Sequence, residues 1–149
     1  MSRFGLIGFP IAHSLSPRLF KAAYGGRFRY DLLESEDFDT AFRIFLKSYD
    51  AVNVTAPFKE QAFDKAKFRS PESELIGAAN ILVKTPRGLS CFNSDCTAVR
   101  ALIEGFNAQA PESGQIHSVL VVGCGGAGKA AATAAFSLGL EVTLMNRSI

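Results

Sequence analysis

The stretch Ser118–Ala132, SVLVVGCGGAGKAAA, decides the fold that this sequence predicts. It begins with four apolar residues, Val119–Val122, three of them β-branched, which is typical of a strand buried on both faces of a parallel sheet. Glycines follow in the spacing G-x-G-x-x-G, and an Ala-rich helical segment runs to Leu138. A second apolar run, Leu140–Met145, predicts the next strand. Strand, glycine turn, helix and strand in this order predict the βαβ unit that binds dinucleotides.

Each glycine of the turn has a separate physical purpose in such a unit. Gly123 permits the tight turn, and Gly125 has no Cβ, so the backbone can approach a pyrophosphate. Gly128 allows the helix to pack close to the strand. The helix N-terminus then presents free N–H groups and the positive end of its dipole to the phosphates. A glycine-rich βα turn without a ligand is the alternative interpretation.

The residues after the second strand indicate which dinucleotide is bound. NAD-binding units usually carry an Asp or Glu about 20 residues past the glycines, where it binds the ribose. This chain has Asn146, Arg147 and Ser148 there, with no acid. The planar guanidinium of Arg147 and the Ser148 hydroxyl suit a 2′-phosphate, which favours NADP. The alternative is that Arg147 is an ordinary exposed arginine.

Composition places the chain among globular proteins. It has 149 residues, 48% hydrophobic and 20% charged, with a net charge of +2. That charge is too small to argue for nucleic acid, and no apolar stretch approaches the ~18 residues of a membrane span. Three cysteines without a C-x-x-C motif favour a reduced, cytoplasmic setting, and we predict no metal site. Because a dinucleotide fold needs further strands, we expect this sequence to be a fragment or to be completed by something else, and inactive alone.

The first half of the chain predicts a strand at Phe4–Phe9, a helix from Ser16-Pro17 to about Tyr24, and a strand at Arg29–Glu34. Ser16 is a candidate N-cap. With Ser14 it also makes a pocket at a helix N-terminus suited to a carboxylate. A helix over residues 36–49 carries a core stripe made of Phe38, Ala41, Phe42, Phe45 and Leu46.

The stretch NVTAPFKE follows a short strand, Ala51–Val54. Thr55 and Pro57 mark a helix start, which places Lys59 in the first turn, where the helix dipole disfavours a cation by up to ~1 kcal/mol. That cost suggests a function for Lys59, although a solvated surface lysine is an equal alternative. We expect this helix to continue over 63–68 and to be broken by Ser70-Pro71.

A strand is predicted over 78–84, with Asn80 near its start, and it pairs with 89–92 as a hairpin. Asp95 ends the second strand and is a candidate N-cap for a helix over 97–106, whose apolar face is Val99, Leu102, Ile103 and Phe106. A polar linker, residues 107–117, leads into the dinucleotide unit.

Six motifs in order make the whole chain resemble the shikimate dehydrogenases (NADP-dependent shikimate 5-dehydrogenases): GFPIAHSLSP, NVTAPFK, GAAN, NSD, GCGGAG and NRS. The resemblance implies an α/β substrate-binding domain at 1–106 and the start of a Rossmann-type NADP-binding domain at 107–149. It implies that Ser14 and Ser16 bind the substrate carboxylate and that Thr55 and Asn80 are further substrate contacts. Lys59 and Asp95 are implied as substrate-binding and catalytic. The implied cofactor-binding residues are Gly123, Gly125, Gly126, Ala127, Gly128, Asn146, Arg147 and Ser148.

The implied activity is reversible NADPH-dependent reduction of 3-dehydroshikimate to shikimate, in the pathway to the aromatic amino acids. A quinate/shikimate dehydrogenase of broader specificity and a non-catalytic dinucleotide- or metabolite-binding relative are the alternatives. The oligomeric state is left open, a homodimer included. The sequence departs from the family at Phe20-Lys21, where His-Asn is usual, at Ile81, where Thr is usual, and at Cys96, where Gly is usual. Cys96 is expected to narrow the turn beside Asp95.

Overall fold

The computed structural model describes residues 2–147 of the chain. The strands are β1 (Arg3–Gly8), β2 (Arg29–Glu34), β3 (Ala51–Val54), β4 (Phe68–Arg69), β5 (Ile81–Thr85), β6 (Gly88–Phe92), β7 (Ser118–Val122) and β8 (Glu141–Met145). The α-helices are α1 (Ser16–Tyr24), α2 (Phe38–Ser48), α3 (Lys59–Lys65), α4 (Pro71–Ile76), α5 (Ser94–Gln109) and α6 (Gly126–Ser137), and a 3₁₀ turn spans Glu112–Gly114. The predicted α/β class is confirmed.

The larger sheet has the strand order β2-β1-β3-β5-β6-β4. β1 is parallel to both β2 and β3, whereas β5 is antiparallel to β3 and to β6. The carboxyl ends of β1 and β3 therefore share one edge with the start of β5 and the end of β6. Asn53 opposes Ile81, and Ile81 opposes Phe92. This register brings together the polar residues that follow or precede those strand ends.

Helix α2 covers this sheet with the predicted phenylalanine stripe. Phe38, Ala41, Phe42 and Phe45 are buried in the main hydrophobic core, as predicted. The prediction is wrong for Leu46, which is 45% exposed. At about 100° per residue, Leu46 lies at the margin of the stripe, where the helix turns away from the sheet.

The segment between β3 and β5 differs from the prediction. Helix α3 ends at Lys65, and Phe68–Arg69 instead pairs with β6 as a short strand. Ser70-Pro71 does not break a helix but starts α4, because the Ser70 hydroxyl accepts the N–H of Ser73 at 3.2 Å. Strand β5 begins only at Ile81, later than predicted.

Helix α5 is longer than predicted and continues to Gln109, past the expected start of the linker. Only part of its predicted apolar face is covered. Ile103 is buried and Val99 packs against a small hydrophobic cluster, but Leu102 and Phe106 are exposed.

Helix α6 packs against α5 and α4. The contact is a second hydrophobic cluster, formed by Ile76, Ala78, Cys96, Ala130 and Ala134. Alanines on α6 allow its backbone to approach α4 and α5 closely. This packing holds the glycine turn next to the start of α3.

Strands β7 and β8 form a separate parallel pair, with Val122 opposite Met145. The prediction that Val119–Val122 is buried on both faces is wrong for the described part of the chain. Val121 is buried against α6, but Leu120 is 57% and Val122 73% exposed. The reason is that α6 covers one face of this pair and no element within residues 2–147 covers the other.

Candidate active site

The two serines lie at the start of α1, but not in the predicted arrangement. Ser16 is not the N-cap: Leu15 occupies that position, and no side chain caps this helix. Instead the Ser14 hydroxyl accepts the N–H of Ser16 at 3.2 Å and donates to the Ser16 hydroxyl at 3.1 Å. Both serines are half-buried. The helix start is therefore organised so that the Ser16 hydroxyl can face a ligand.

Lys59 is the first residue of α3, as its position in the sequence predicted, and it forms an ion pair with Asp95. The side chain of Lys59 is 15% exposed and that of Asp95 32%. A lysine this enclosed is not a solvated surface residue. The ion pair compensates both for its burial and for its unfavourable position at the helix start.

Asp95 is not the N-cap of α5, contrary to the capping interpretation. That role belongs to Asn93, whose Oδ1 accepts the N–H groups of Asp95 at 3.1 Å and Cys96 at 3.3 Å. Asn93 was not predicted as the cap, although Asn is as good a cap as Asp and stands two residues earlier. Asn93 is buried and also donates to the carbonyl of Ala78 at 3.0 Å. The carboxylate of Asp95 is thereby left for Lys59 and the cavity.

Asn80 binds Oδ1 of Asp95, whereas Lys59 contacts Oδ2 of the same carboxylate. Its Nδ2 donates to Asp95 Oδ1 at 2.8 Å and to the Ser94 hydroxyl at 2.9 Å. Its Oδ1 accepts the backbone N–H of Ser94 at 2.9 Å. Because a backbone N–H only donates, this bond sets the orientation of the carboxamide. Asn80, Ser94, Asp95 and Lys59 form one polar network at the edge of the sheet.

These residues border a cavity of about 430 Å³. One wall is polar and the other, from α1 and β2, is largely aromatic and aliphatic. The lining residues are Ser16, Leu19, Phe20, Ala23, Tyr24, Tyr30, Asn53, Val54, Thr55, Lys59, Asn80 and Asp95. Ser14 supports Ser16 from behind and is not among them. Asn53 and Tyr30 were not predicted from the sequence. Asn53 could have been found, because it is an amide in an otherwise apolar strand that ends directly before Thr55.

A second cavity, of about 590 Å³, lies between the start of α3 and the glycine turn. Its lining includes Gly123, Gly125, Gly126, Ala127 and Gly128 from the turn, and Thr55, Ala56, Pro57, Lys59, Glu60 and Val122. Thr55 and Lys59 border both cavities. The predicted substrate and cofactor residues therefore meet at Lys59.

The glycine turn has the shape that a dinucleotide phosphate needs. Gly123 has φ +98°, and a Cβ on Gly128 would lie 1.9 Å from the carbonyl oxygen of Gly123. A Cβ on Gly125 would meet nothing within 4 Å, so that this backbone is open to a ligand. The N-terminus of α6 carries no side-chain cap, which leaves its first N–H groups for an anion. The residues present thus fit a pyrophosphate.

The predicted readers of the 2′-phosphate follow β8. Asn146 and Arg147 are exposed and come directly after Met145, whose carbonyl accepts the N–H of Gly123 at 2.8 Å. This bond brings the end of β8 beside the glycine turn. Ser148 lies outside the described residues.

The expected effect of Cys96 on the turn beside Asp95 is not observed. Cys96 is buried, faces Ala130 and Ala134 of α6, and lines neither cavity. Burial raises the pKa of its thiol, which keeps it protonated and unreactive. Cys96 therefore contributes to packing between α5 and α6.

Within residues 2–147, no helix is both long and apolar enough to cross a bilayer. The same range contains no group of three or more His, Cys, Asp or Glu side chains arranged to hold a metal ion.

Comparison with known proteins agrees with this geometry. The family model described as the shikimate dehydrogenase substrate binding domain matches residues 6–82, just over half of the chain. A shikimate dehydrogenase of Thermotoga petrophila is 32% identical over 99% of the chain and 56% of the relative. The shikimate dehydrogenase (NADP(+)) of Acidiphilium cryptum is 35% identical over 97% of the chain and 53% of the relative.

Solved structures give the same result. The shikimate 5-dehydrogenase of Thermus thermophilus in complex with shikimate superposes with a TM-score of 0.80 at 32% identity, over 99% of this chain and 57% of that one. Shikimate dehydrogenase 1 of Peptoclostridium difficile gives 0.85 at 29% identity, over 100% and 58%. The chain spans about half the length of the relatives that it matches. The chain therefore belongs to the family of the shikimate dehydrogenase substrate binding domain.

Proposed function

We propose that the chain supplies the substrate-binding domain, residues 1–106, and the start of the NADP-binding domain, residues 107–149, of an NADP-dependent shikimate dehydrogenase. The reaction is the reversible reduction of 3-dehydroshikimate to shikimate. The observation that carries the proposal is the Lys59–Asp95 pair, because Lys59 borders both the polar cavity and the cavity at the glycine turn. An acid–base group at that junction is placed where a proton must be delivered as a hydride arrives.

Within the proposal, each polar residue of the first cavity has one task. The Ser16 hydroxyl, which accepts from Ser14, donates to the carboxylate of the substrate at the start of α1. Thr55 and Asn80 bind ring hydroxyls. Asp95 hydrogen-bonds the reacting hydroxyl and orients Lys59, and Lys59 gives a proton to the developing alkoxide.

NADPH, when bound, supplies the hydride. The N–H groups at the start of α6 and the backbone of Gly125–Ala127 hold its pyrophosphate, and Arg147, with Asn146 and Ser148, selects the 2′-phosphate. The absence of an acid after β8 supports NADP over NAD. The close approach of Gly126 to Lys59, whose Cδ would lie 3.0 Å from a Cβ on Gly126, joins the cofactor turn to the catalytic residue.

Two measurements test the proposal. The first is calorimetric titration of the 149-residue chain with shikimate and with quinate. The second is turnover of shikimate with NADP⁺ by a chimera in which this chain replaces the matching N-terminal part of the Thermus thermophilus enzyme. Binding without turnover, in a folded chimera, would support the non-catalytic alternative. Comparable binding and turnover of quinate would support the broader specificity. Absence of shikimate binding would overturn the proposal.

A further inference from the structure

The wall of the first cavity that faces the polar network contains a cluster of aromatic rings packed at tilted angles of 36–44°. Phe20 of α1 lies over Tyr30 of β2, with ring centroids 4.6 Å apart, and it contacts Tyr24 at the same distance. Phe4 packs against the other side of the cluster, 5.3 Å from Phe20. Phe20 is one of the positions at which the sequence departs from the family pattern. The contact with Phe20 packs one side of the Tyr30 ring.

The hydroxyl of Tyr30 emerges from this cluster toward β3. It donates to Asn53 Oδ1 at 2.9 Å. On its other side the Asn53 carboxamide places Nδ2 3.5 Å from the backbone carbonyl of Asn80, a long contact. A carbonyl only accepts, so the nitrogen of the carboxamide must be on that side and its oxygen must face Tyr30.

In this orientation, one N–H of the Asn53 side chain points toward neither Tyr30 nor the carbonyl of Asn80. Asn53, Tyr30 and Asn80 all border the cavity. The side chain of Asn53 therefore has its acceptor occupied by the protein and a donor available to a ligand oxygen. If the Tyr30 hydroxyl were absent, the carboxamide would lose the partner that fixes its oxygen.

We propose that Tyr30 is a positioning residue that orients the carboxamide of Asn53, so that its N–H donates to a hydroxyl or carbonyl oxygen on the ring of the substrate. The identity of that substrate rests on the proposed function. The inference adds two side chains, Tyr30 and Asn53, to the polar network that recognises the ring.

The surroundings of Tyr30 keep its hydroxyl protonated, so that it can donate to Asn53. Burial raises its pKa to about 12, against a smaller lowering by a hydrogen bond with the Ser16 side chain, so the phenol stays protonated near neutral pH. A protonated hydroxyl beside an amide oxygen donates to it. The Tyr30 hydroxyl is therefore a donor to Asn53 Oδ1 near neutral pH.

The test uses shikimate titrations of the 149-residue chain and its Tyr30→Phe variant. We expect Tyr30→Phe to weaken binding about fivefold, the loss of one net hydrogen bond of ~1 kcal/mol converted at ~1.4 kcal/mol per factor of ten. Tyr49→Phe is the matched control, because it also removes a hydroxyl that donates one hydrogen bond, to Asp31 Oδ2 at 2.9 Å, and Tyr49 borders neither cavity. It should change the affinity less than about twofold.

A double-mutant cycle then asks whether Tyr30 acts through Asn53. In an Asn53→Ala background, Tyr30→Phe should cause no further loss of affinity. A full fivefold loss in that background would show that Tyr30 acts on the ligand directly or through Ser16, with which it also interacts, and would overturn the proposal. An unchanged affinity for Tyr30→Phe, with a lowered melting temperature, would show a purely structural role and also overturn it.

A ligand-free measurement separates this inference from the proposed function. In NMR spectra of the wild-type chain, the side-chain N–H₂ pair of Asn53 should appear as one resolved, slowly exchanging pair, and Tyr30→Phe should shift it and speed its exchange. Identical spectra for the two proteins would overturn the positioning role whether or not shikimate binds. Failure of the wild-type chain to bind shikimate, with the NMR effect present, would overturn only the proposed substrate.

Discussion

Substitutions at Asn93 and Asp95 separate the capping of α5 from the chemistry of the site. Asn93→Ala removes the acceptor of two N–H groups, at 3.1 and 3.3 Å, and the donor to Ala78 at 3.0 Å. Loss of an N-cap costs ~1 kcal/mol, and an unsatisfied buried carbonyl adds ~1–3 kcal/mol. We expect Asn93→Ala to lower the free energy of unfolding by about 2–4 kcal/mol.

Asp95→Asn leaves that cap intact, because residue 95 contributes only its backbone N–H to it. The oxygen of the new carboxamide can still accept from Asn80, whose Nδ2 lies 2.8 Å from Oδ1 of the native carboxylate. What is lost is the negative charge beside Lys59. For a pair whose side chains are 15% and 32% exposed, we expect a stability cost of about 1 kcal/mol, after allowing for solvent screening.

For kcat the order of the two variants should be reversed: Asp95→Asn, which costs less stability than Asn93→Ala, should cost more activity. We expect Asp95→Asn to lower kcat of the chimera by roughly 10²–10⁴, the usual range for a positioned acid–base group. Stability is measured by urea unfolding of the 149-residue chain, and kcat from NADPH formation. An Asp95→Asn variant that turns over normally, yet loses as much stability as Asn93→Ala, would refute the assignment of Asp95 to the reaction.

Three further outcomes follow from the same geometry. Lys59→Met should lower kcat by roughly 10²–10⁴, and shikimate affinity should change much less. The double variant with Asp95→Asn should be little worse than the poorer single variant; multiplied losses would contradict a coupled pair. Arg147→Ala should weaken NADP⁺ binding by about 1.5–3 kcal/mol but spare NAD⁺, and calorimetry showing equal losses would remove Arg147 from the 2′-phosphate site. Gly128→Ala should destabilise β7 and α6 by ~1–3 kcal/mol, because its Cβ would lie 1.9 Å from the carbonyl oxygen of Gly123. The effect is measured as faster hydrogen exchange in β7 and α6. Gly125→Ala, with open space at its Cβ, should spare stability and weaken NADP⁺ binding, and equal stability losses for the two alanines would argue against this account.

Much of the fold could be predicted because local patterns specify it. The period of Phe38, Ala41, Phe42 and Phe45 predicted a core helix, and all four are buried. The glycine spacing after an apolar run predicted the turn between β7 and α6, and its steric demands are visible at Gly128. Such signals lie within a few residues of one another, so the sequence contains them without reference to distant parts of the chain.

Errors arose where two local interpretations competed and distant contacts decided between them. Ser70-Pro71 satisfies both a helix break and a helix start, and pairing of Phe68–Arg69 with β6 selects the second. Asp95 and Asn93 are both good N-caps, and the ion pair with Lys59 draws the side chain of Asp95 away from the helix end. Propensity alone does not rank such alternatives.

The sequence by itself determined the α/β class, the glycine turn, most of the core stripe of α2 and three residues of the polar network, Lys59, Asn80 and Asp95. Only the tertiary structure decided that Lys59 borders both cavities, that Asn93 caps α5, and that Tyr30 and Asn53 border the first cavity. The physical reason is the register of the sheet. Antiparallel pairing of β5 with β3 and β6 brings residues 53, 80 and 95 to one edge, and this juxtaposition depends on hydrogen bonds between segments far apart in the chain.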